Sequence, residues 1–317
     1  MAKPKRANLA KPAGSKDPAQ RNRLLRVMLH LLGVVIFVGG IVYISIYAKK
    51  YIDQEAGAPS GPLKIALVNK PLWMSDFLAA QIAATLPRVS SSAFDHQLLV
   101  KAVAKLQKNP WVRQVHQVRR VYGERPGDTL EVDCEFRAPI ALVHFGEFYW
   151  LVDNDGVKLP EQFTADLLPK ITVDRDGRTS IRIIEGVHQP PPDAGQKWTG
   201  QDLAAGLDLV KLFYGRLFLD EVTGIDVSNF AGRIKRSAPQ VVLDTCHGTQ
   251  IWWGRPVNAK DFFVEVPVNR KLQILRATVQ QRGRIDAGKS YVDVRYEDYL
   301  IPADAPDTQA GTREESR

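Results

Sequence analysis

Cysteine is scarce, with only Cys134 and Cys246 among 317 residues. They can form one bridge at most, which excludes a disulfide scaffold, and no Cys-x-x-Cys pair exists to hold zinc or run thiol exchange. Cys134 falls on an apolar strand face and is expected to be a small buried hydrophobe rather than half of a bridge. His30, His96, His116, His144, His188 and His247 show no metal-ligand spacing, and Cys246-His247 is a single adjacent pair whose side chains point to opposite faces of a strand. Ser-x-x-Lys and Gly-x-Ser-x-Gly motifs are missing. Asp153, Asp155 and Gly156 lack the other ligands of a calcium loop and predict a hairpin turn. No catalytic residue, metal ligand or cofactor site is therefore predicted.

Acidic charge is nearly missing from residues 1–26, where Asp17 stands against Lys3, Lys5, Arg6, Lys11, Lys16, Arg21, Arg23 and Arg26. Charge of either sign is missing from Leu31 to Ala48, a run apolar on every side and long enough for a helix to cross a bilayer. The run ends in Tyr47 and two lysines rather than in small residues, which favours an uncleaved anchor over a signal peptide. The basic side stays in the cytoplasm and the remainder is exported. The formal charge of +8 is thereby explained, because +7 of it lies in the tail. The exported body is nearly neutral, which excludes a basic surface for nucleic acid.

Six regions are expected: a basic cytoplasmic tail without structure (1–26), a transmembrane helix (27–48), a linker (49–62), two exported units (63–137 and 138–302) and a polar tail (303–317). In the first unit Leu63 to Val68 predicts a strand. Ser75 predicts an N-cap before a helix ended by Pro87, and a second helix covers Asp95 to Lys108. Two strands follow, Val112 to Tyr122 and Thr129 to Arg137. The second alternates cleanly, whereas the valines of the first change parity, as a bulge would make them do. In the second unit short strands predict a mostly antiparallel sheet. Thr199 is expected to cap a helix through Leu217, a further helix covers Val268 to Arg282, and a last strand covers Tyr291 to Leu300. Trp252 and Trp253 are neighbours, so one is expected in the core and one partly exposed. The fold class is α+β.

Asn109-Pro110-Trp111-Val112, Arg137-Ala138-Pro139-Ile140-Ala141, Trp150-Leu151-Val152-Asp153-Asn154-Asp155-Gly156-Val157 and Tyr291-Val292-Asp293-Val294-Arg295-Tyr296 together resemble the FtsQ/DivIB family of bacterial division proteins. Departures are Asn69 to Met74, the extra stretch Val257 to Val266, and Glu297 to Ile301. The resemblance implies a POTRA domain (β-α-α-β-β) over 63–137 and a β-domain with flanking helices over 138–302. It also implies a non-enzymatic scaffold in the inner membrane at the septum, whose partners are FtsB/DivIC-like and FtsL-like coiled-coil proteins. Matching the motif places partner contacts at Arg295 and Tyr296, with Asp298 and Leu300 in the departing part. On residue pattern alone the last strand reads as an ordinary edge guarded by charge, and the resemblance makes it a docking edge. Two other readings stay open. An anchored envelope enzyme such as a peptidoglycan hydrolase would show a pocket with convergent acid, base or metal groups. A POTRA-bearing assembly or transport factor would show tandem units or a barrel.

Overall fold

A computed structural model of the chain describes residues 18–55, 62–89, 95–121, 128–172, 179–259 and 265–297. The first element is one long helix, α1 (Pro18–Glu55). Its section Val27–Tyr51 has a mean hydropathy of 2.5, lies free of the rest of the fold, and is long and apolar enough to cross a membrane. At 1.5 Å per residue it is about 37 Å long, against a hydrocarbon core of about 30 Å. Tyr43 stacks on Tyr47, and Lys49 and Lys50 follow within the same helix. The helix begins inside the tail read as structureless and ends inside the stretch read as linker. Cooperativity accounts for both extensions, because each residue added to a nucleated helix gains a hydrogen bond without a new nucleus.

The first unit comprises β1 (Lys64–Leu67), α2 (Asp76–Ala84), α3 (His96–Gln107), β2 (Val112–Val121) and β3 (Thr129–Phe136), in the predicted order. The Ser75 hydroxyl accepts from the Leu78 amide and the Asp95 carboxylate from that of Leu98, both at 3.2 Å, so each helix starts on a satisfied amide. The sheet runs β1-β3-β2, with β1 parallel and β2 antiparallel to β3. Leu130, Val132, Cys134 and Phe136 are buried, as the alternation predicts. Register shifts between Val112 and Gln114 and between Val115 and Gln117 are the bulges that break the parity of β2.

The second unit comprises β4 (Pro139–Phe145), β5 (Phe148–Asp153), β6 (Lys158–Phe163), α4 (Leu168–Ile171), β7 (Arg182–Glu185), α5 (Gln201–Phe213), β8 (Val222–Asp226), β9 (Val241–Thr245), β10 (Gln250–Gly254), α6 (Val268–Arg282) and β11 (Tyr291–Asp293). Its eight strands run β11-β10-β9-β8-β7-β4-β5-β6. The expected mostly antiparallel sheet is a mixed one, since β4 with β7, β7 with β8, and β10 with β11 are parallel. Parallel neighbours need crossovers, and α5 and α6 lie in two of them. Strand β6 is not among the strands expected from the sequence; it carries Pro160, which an edge strand tolerates. The expected Thr199 cap is not formed. Gly200 takes the N-cap at φ 152°, where a Cβ would lie 2.6 Å from the Asp202 carboxylate folded beneath it.

Two apolar cores result. Ile184, Leu209, Phe213, Leu243, Trp253 and Leu275 belong to the one between the large sheet and its helices. The core of the first unit is completed by Leu142, Leu151 and Leu159 from the second. Ala141 and Val143 face one core and Leu142 the other, so the β4-β5-β6 end of the large sheet is covered on both sides. Polar ties cross the same boundary. Arg137 meets Asp153 at 2.6 Å, Arg113 meets Asp155 at 3.1 Å, and the Trp111 indole donates to Glu161 at 3.2 Å.

Candidate functional site

The candidate site is the edge formed by β11, which pairs with β10 at Gln250–Tyr291, Ile251–Val292 and Trp252–Asp293. Both ends of the strand are fixed. Gly283 ends α6 in the left-handed region (φ 75°) and its amide returns to Val279. Asp286 is fully buried and accepts from the Thr249 hydroxyl (2.7 Å), the Gly288 amide (2.8 Å) and Arg284 (2.6 Å). Burial raises the pKa of Asp286, but those donors outweigh it and the net shift is downward.

Backbone direction alternates along the strand. The Ser290 carbonyl accepts from Gln250 and the Val294 amide donates to Trp252, so residues 290, 292 and 294 address β10. The amides and carbonyls of Tyr291 and Asp293 therefore point away from it. Next along that side, the Arg295 carbonyl accepts from the Val266 amide at 2.8 Å. The regular strand is three residues long, not the ten predicted. Val292 and Val294 are fully buried, as their parity predicts, but Asp293, expected on the wet face, is 1% exposed. The carboxylate is tolerated there because Arg295 folds back on it, with Nε 2.9 Å from Oδ1 and a terminal nitrogen 2.7 Å from Oδ2. Those bonds to Asp293 raise the pKa of Arg295 against its desolvation.

Of the four predicted contacts, Arg295 is thus committed to Asp293, with its side chain 12% exposed. Tyr296 is 40% exposed and lies 5.2 Å from the Arg295 guanidinium. Asp298 and Leu300 lie outside the described residues. Trp252, half-buried beside a fully buried Trp253, stacks on Tyr291 at 4.2 Å and lies 5.6 Å from Arg295. Tyr291, Trp252, Arg295 and Tyr296 thereby form a continuous row along the edge. The sequence reading did not include Tyr291 or Trp252 in the site, although Trp252 shares the outward parity of Gln250.

An open cleft of about 600 Å³ lies elsewhere, between the units, with Trp73, Ile140, Ile181, Val210, Lys211 and Tyr214 in its lining. Its lining holds no Asp, Glu or His. Among the described residues no group of three or more His, Cys, Asp or Glu side chains is placed to hold a metal ion. Both cysteines are free, Cys134 buried and Cys246 exposed. No protein-family model matches this chain, and no curated protein matches it either.

Proposed function

We propose that this chain is a non-enzymatic scaffold of the bacterial division machinery of the FtsQ/DivIB type, anchored once in the inner membrane. The basic side of α1 lies in the cytoplasm and both units lie on the periplasmic side, at the septum. The first unit is read as a POTRA domain and the second as the β-domain. The supporting observation is the end of the large sheet. The motif that carries the resemblance, Tyr291 to Tyr296, begins on an edge strand with outward backbone groups, beside the stacked, half-buried Trp252 and Tyr291 and the exposed Tyr296. Such an edge accepts an added strand, and aromatic side chains along it supply apolar area and specificity.

The partner at this edge is an FtsB/DivIC-like coiled-coil protein, with an FtsL-like protein in the same assembly. Tyr296 is the aromatic contact. Depletion of the chain tests the reading: filaments or chains of undivided cells support it, and normal division overturns it.

A further inference from the structure

The outward side of β11 is stopped by a built device. Glu265, three residues ahead of α6, turns its carboxylate inward, where Oε2 accepts from the Arg255 amide (2.9 Å) and from Lys271 Nζ (2.6 Å). Lys271 Nζ also donates to the Trp253 carbonyl on β10 at 2.5 Å. The Glu265 and Lys271 side chains are 12% and 3% exposed. Burial lowers the pKa of Lys271, and Glu265 opposes that shift. Gly254 makes room for the carboxylate: its φ is 92°, and a Cβ there would lie 2.6 Å from Glu265 Cδ. The glycine, the acid and the lysine together fix the chain at 265. The next amide, that of Val266, then reaches the Arg295 carbonyl. Pro267 follows, with no N–H to continue the pairing. A buried ion pair adds little net stability compared with apolar packing, and register is its best-attested use.

We propose that the Glu265–Lys271 pair is a positioning device that ends the docking edge at Asp293, so that an added strand pairs with Tyr291 and Asp293 and is turned away at Val266. The inference rests on the docking reading given above. It makes the partner's strand contact short, and it leaves aromatic contacts such as Tyr296 to supply the remaining affinity.

Hydrogen–deuterium exchange of the full chain in detergent micelles tests it, alone and with the purified FtsB-like protein of the same organism. The variants are Glu265→Gln and the double change Glu265→Gln/Lys271→Met, which leaves no unpaired buried ammonium. In the wild type the partner slows exchange at Tyr291 and Asp293 and leaves Val266 unchanged. In both variants the Val266 amide exchanges about tenfold faster in the free chain, as loss of one hydrogen bond implies, and one more amide of the partner's strand is protected, donating to the freed Arg295 carbonyl while the Arg295 amide stays on Asp293 Oδ1. Unchanged Val266 exchange in both variants overturns the proposal, as does wild-type protection that already reaches Val266. No protection anywhere on the wild type overturns the docking reading itself and this proposal with it. Protection that runs past Asp293 overturns the stop alone.

Discussion

Arg295 and Asp293 close on each other across one intervening residue, two guanidinium nitrogens meeting two carboxylate oxygens at 2.9 and 2.7 Å. The charge that the strand motif offers to a partner is thus already engaged within the chain. Arg295→Ala leaves a carboxylate that is 2% exposed without its counter-charge, an arrangement that costs roughly 3–5 kcal/mol. Denaturant unfolding of the full chain in detergent micelles checks this. A binding defect in this variant accordingly reports the fold of the edge as well as the contact.

The junction between the units answers to Arg137 and Leu142. Asp153 is 4% exposed and also accepts from the amides of Asp155 and Val157, so Arg137→Ala strands a buried carboxylate at roughly 3–5 kcal/mol. Leu142→Ala opens a cavity in the core of the first unit from a strand of the second, at roughly 2–5 kcal/mol. Tryptophan fluorescence and far-ultraviolet circular dichroism are expected to report one coincident unfolding transition in both variants. Separate transitions would contradict the shared core.

Asp202 gives the fold an acid-sensitive contact. Its burial raises the pKa, but the His188 and Leu203 amides and Arg233 outweigh this and the net shift is downward. A carboxylate whose folded pKa is depressed stabilises the fold above its unfolded pKa, and the contribution is lost as pH falls through the folded value. Acid unfolding of Asp202→Asn is expected to show a weaker loss of stability below about pH 4 than the wild type. Identical pH slopes would contradict the assignment.

The two thiols are expected to differ in reactivity. Burial pushes the Cys134 thiol up to about 11, and Cys246 lies exposed. Alkylation of the native chain at pH 8 is expected to label Cys246 alone, with Cys134 joining in denaturant. Mass spectrometry of the labelled peptides reads the order.

Elements governed by local rules were legible in the sequence. The apolar run of α1, the capped helices α2 and α3, the alternation of β3 and the span of α6 follow from periodicity and end signals that need no distant partner. What failed depends on contacts far along the chain. Nothing in the period of β10 and β11 tells whether they pair parallel, so the crossover through α6 was invisible. Pro160 argues against a strand until the sheet order places it at an edge. Thr199 loses its capping role because Asp202 folds beneath Gly200. At the site, Tyr296 is named by its motif against its parity, which it shares with the buried Val292 and Val294; it is exposed because the regular strand ends at Asp293. The inward turn of Arg295 and the stacking of Trp252 on Tyr291 were not legible, because one needs a strand that ends at Asp293 and the other a known cross-strand neighbour.

The docking edge is tested most directly by titrating the full chain in detergent micelles with the purified FtsB-like protein by calorimetry, for the wild type and for Tyr296→Ala. Tyr296 is 40% exposed and its truncation leaves no buried charge, so stability and circular dichroism are expected to stay within about 0.5 kcal/mol and unchanged, respectively. The predicted result is binding by the wild type and an affinity lower by at least about tenfold in the variant, as for an aromatic anchor. Equal affinities for the two proteins, or no binding by either, would contradict the account.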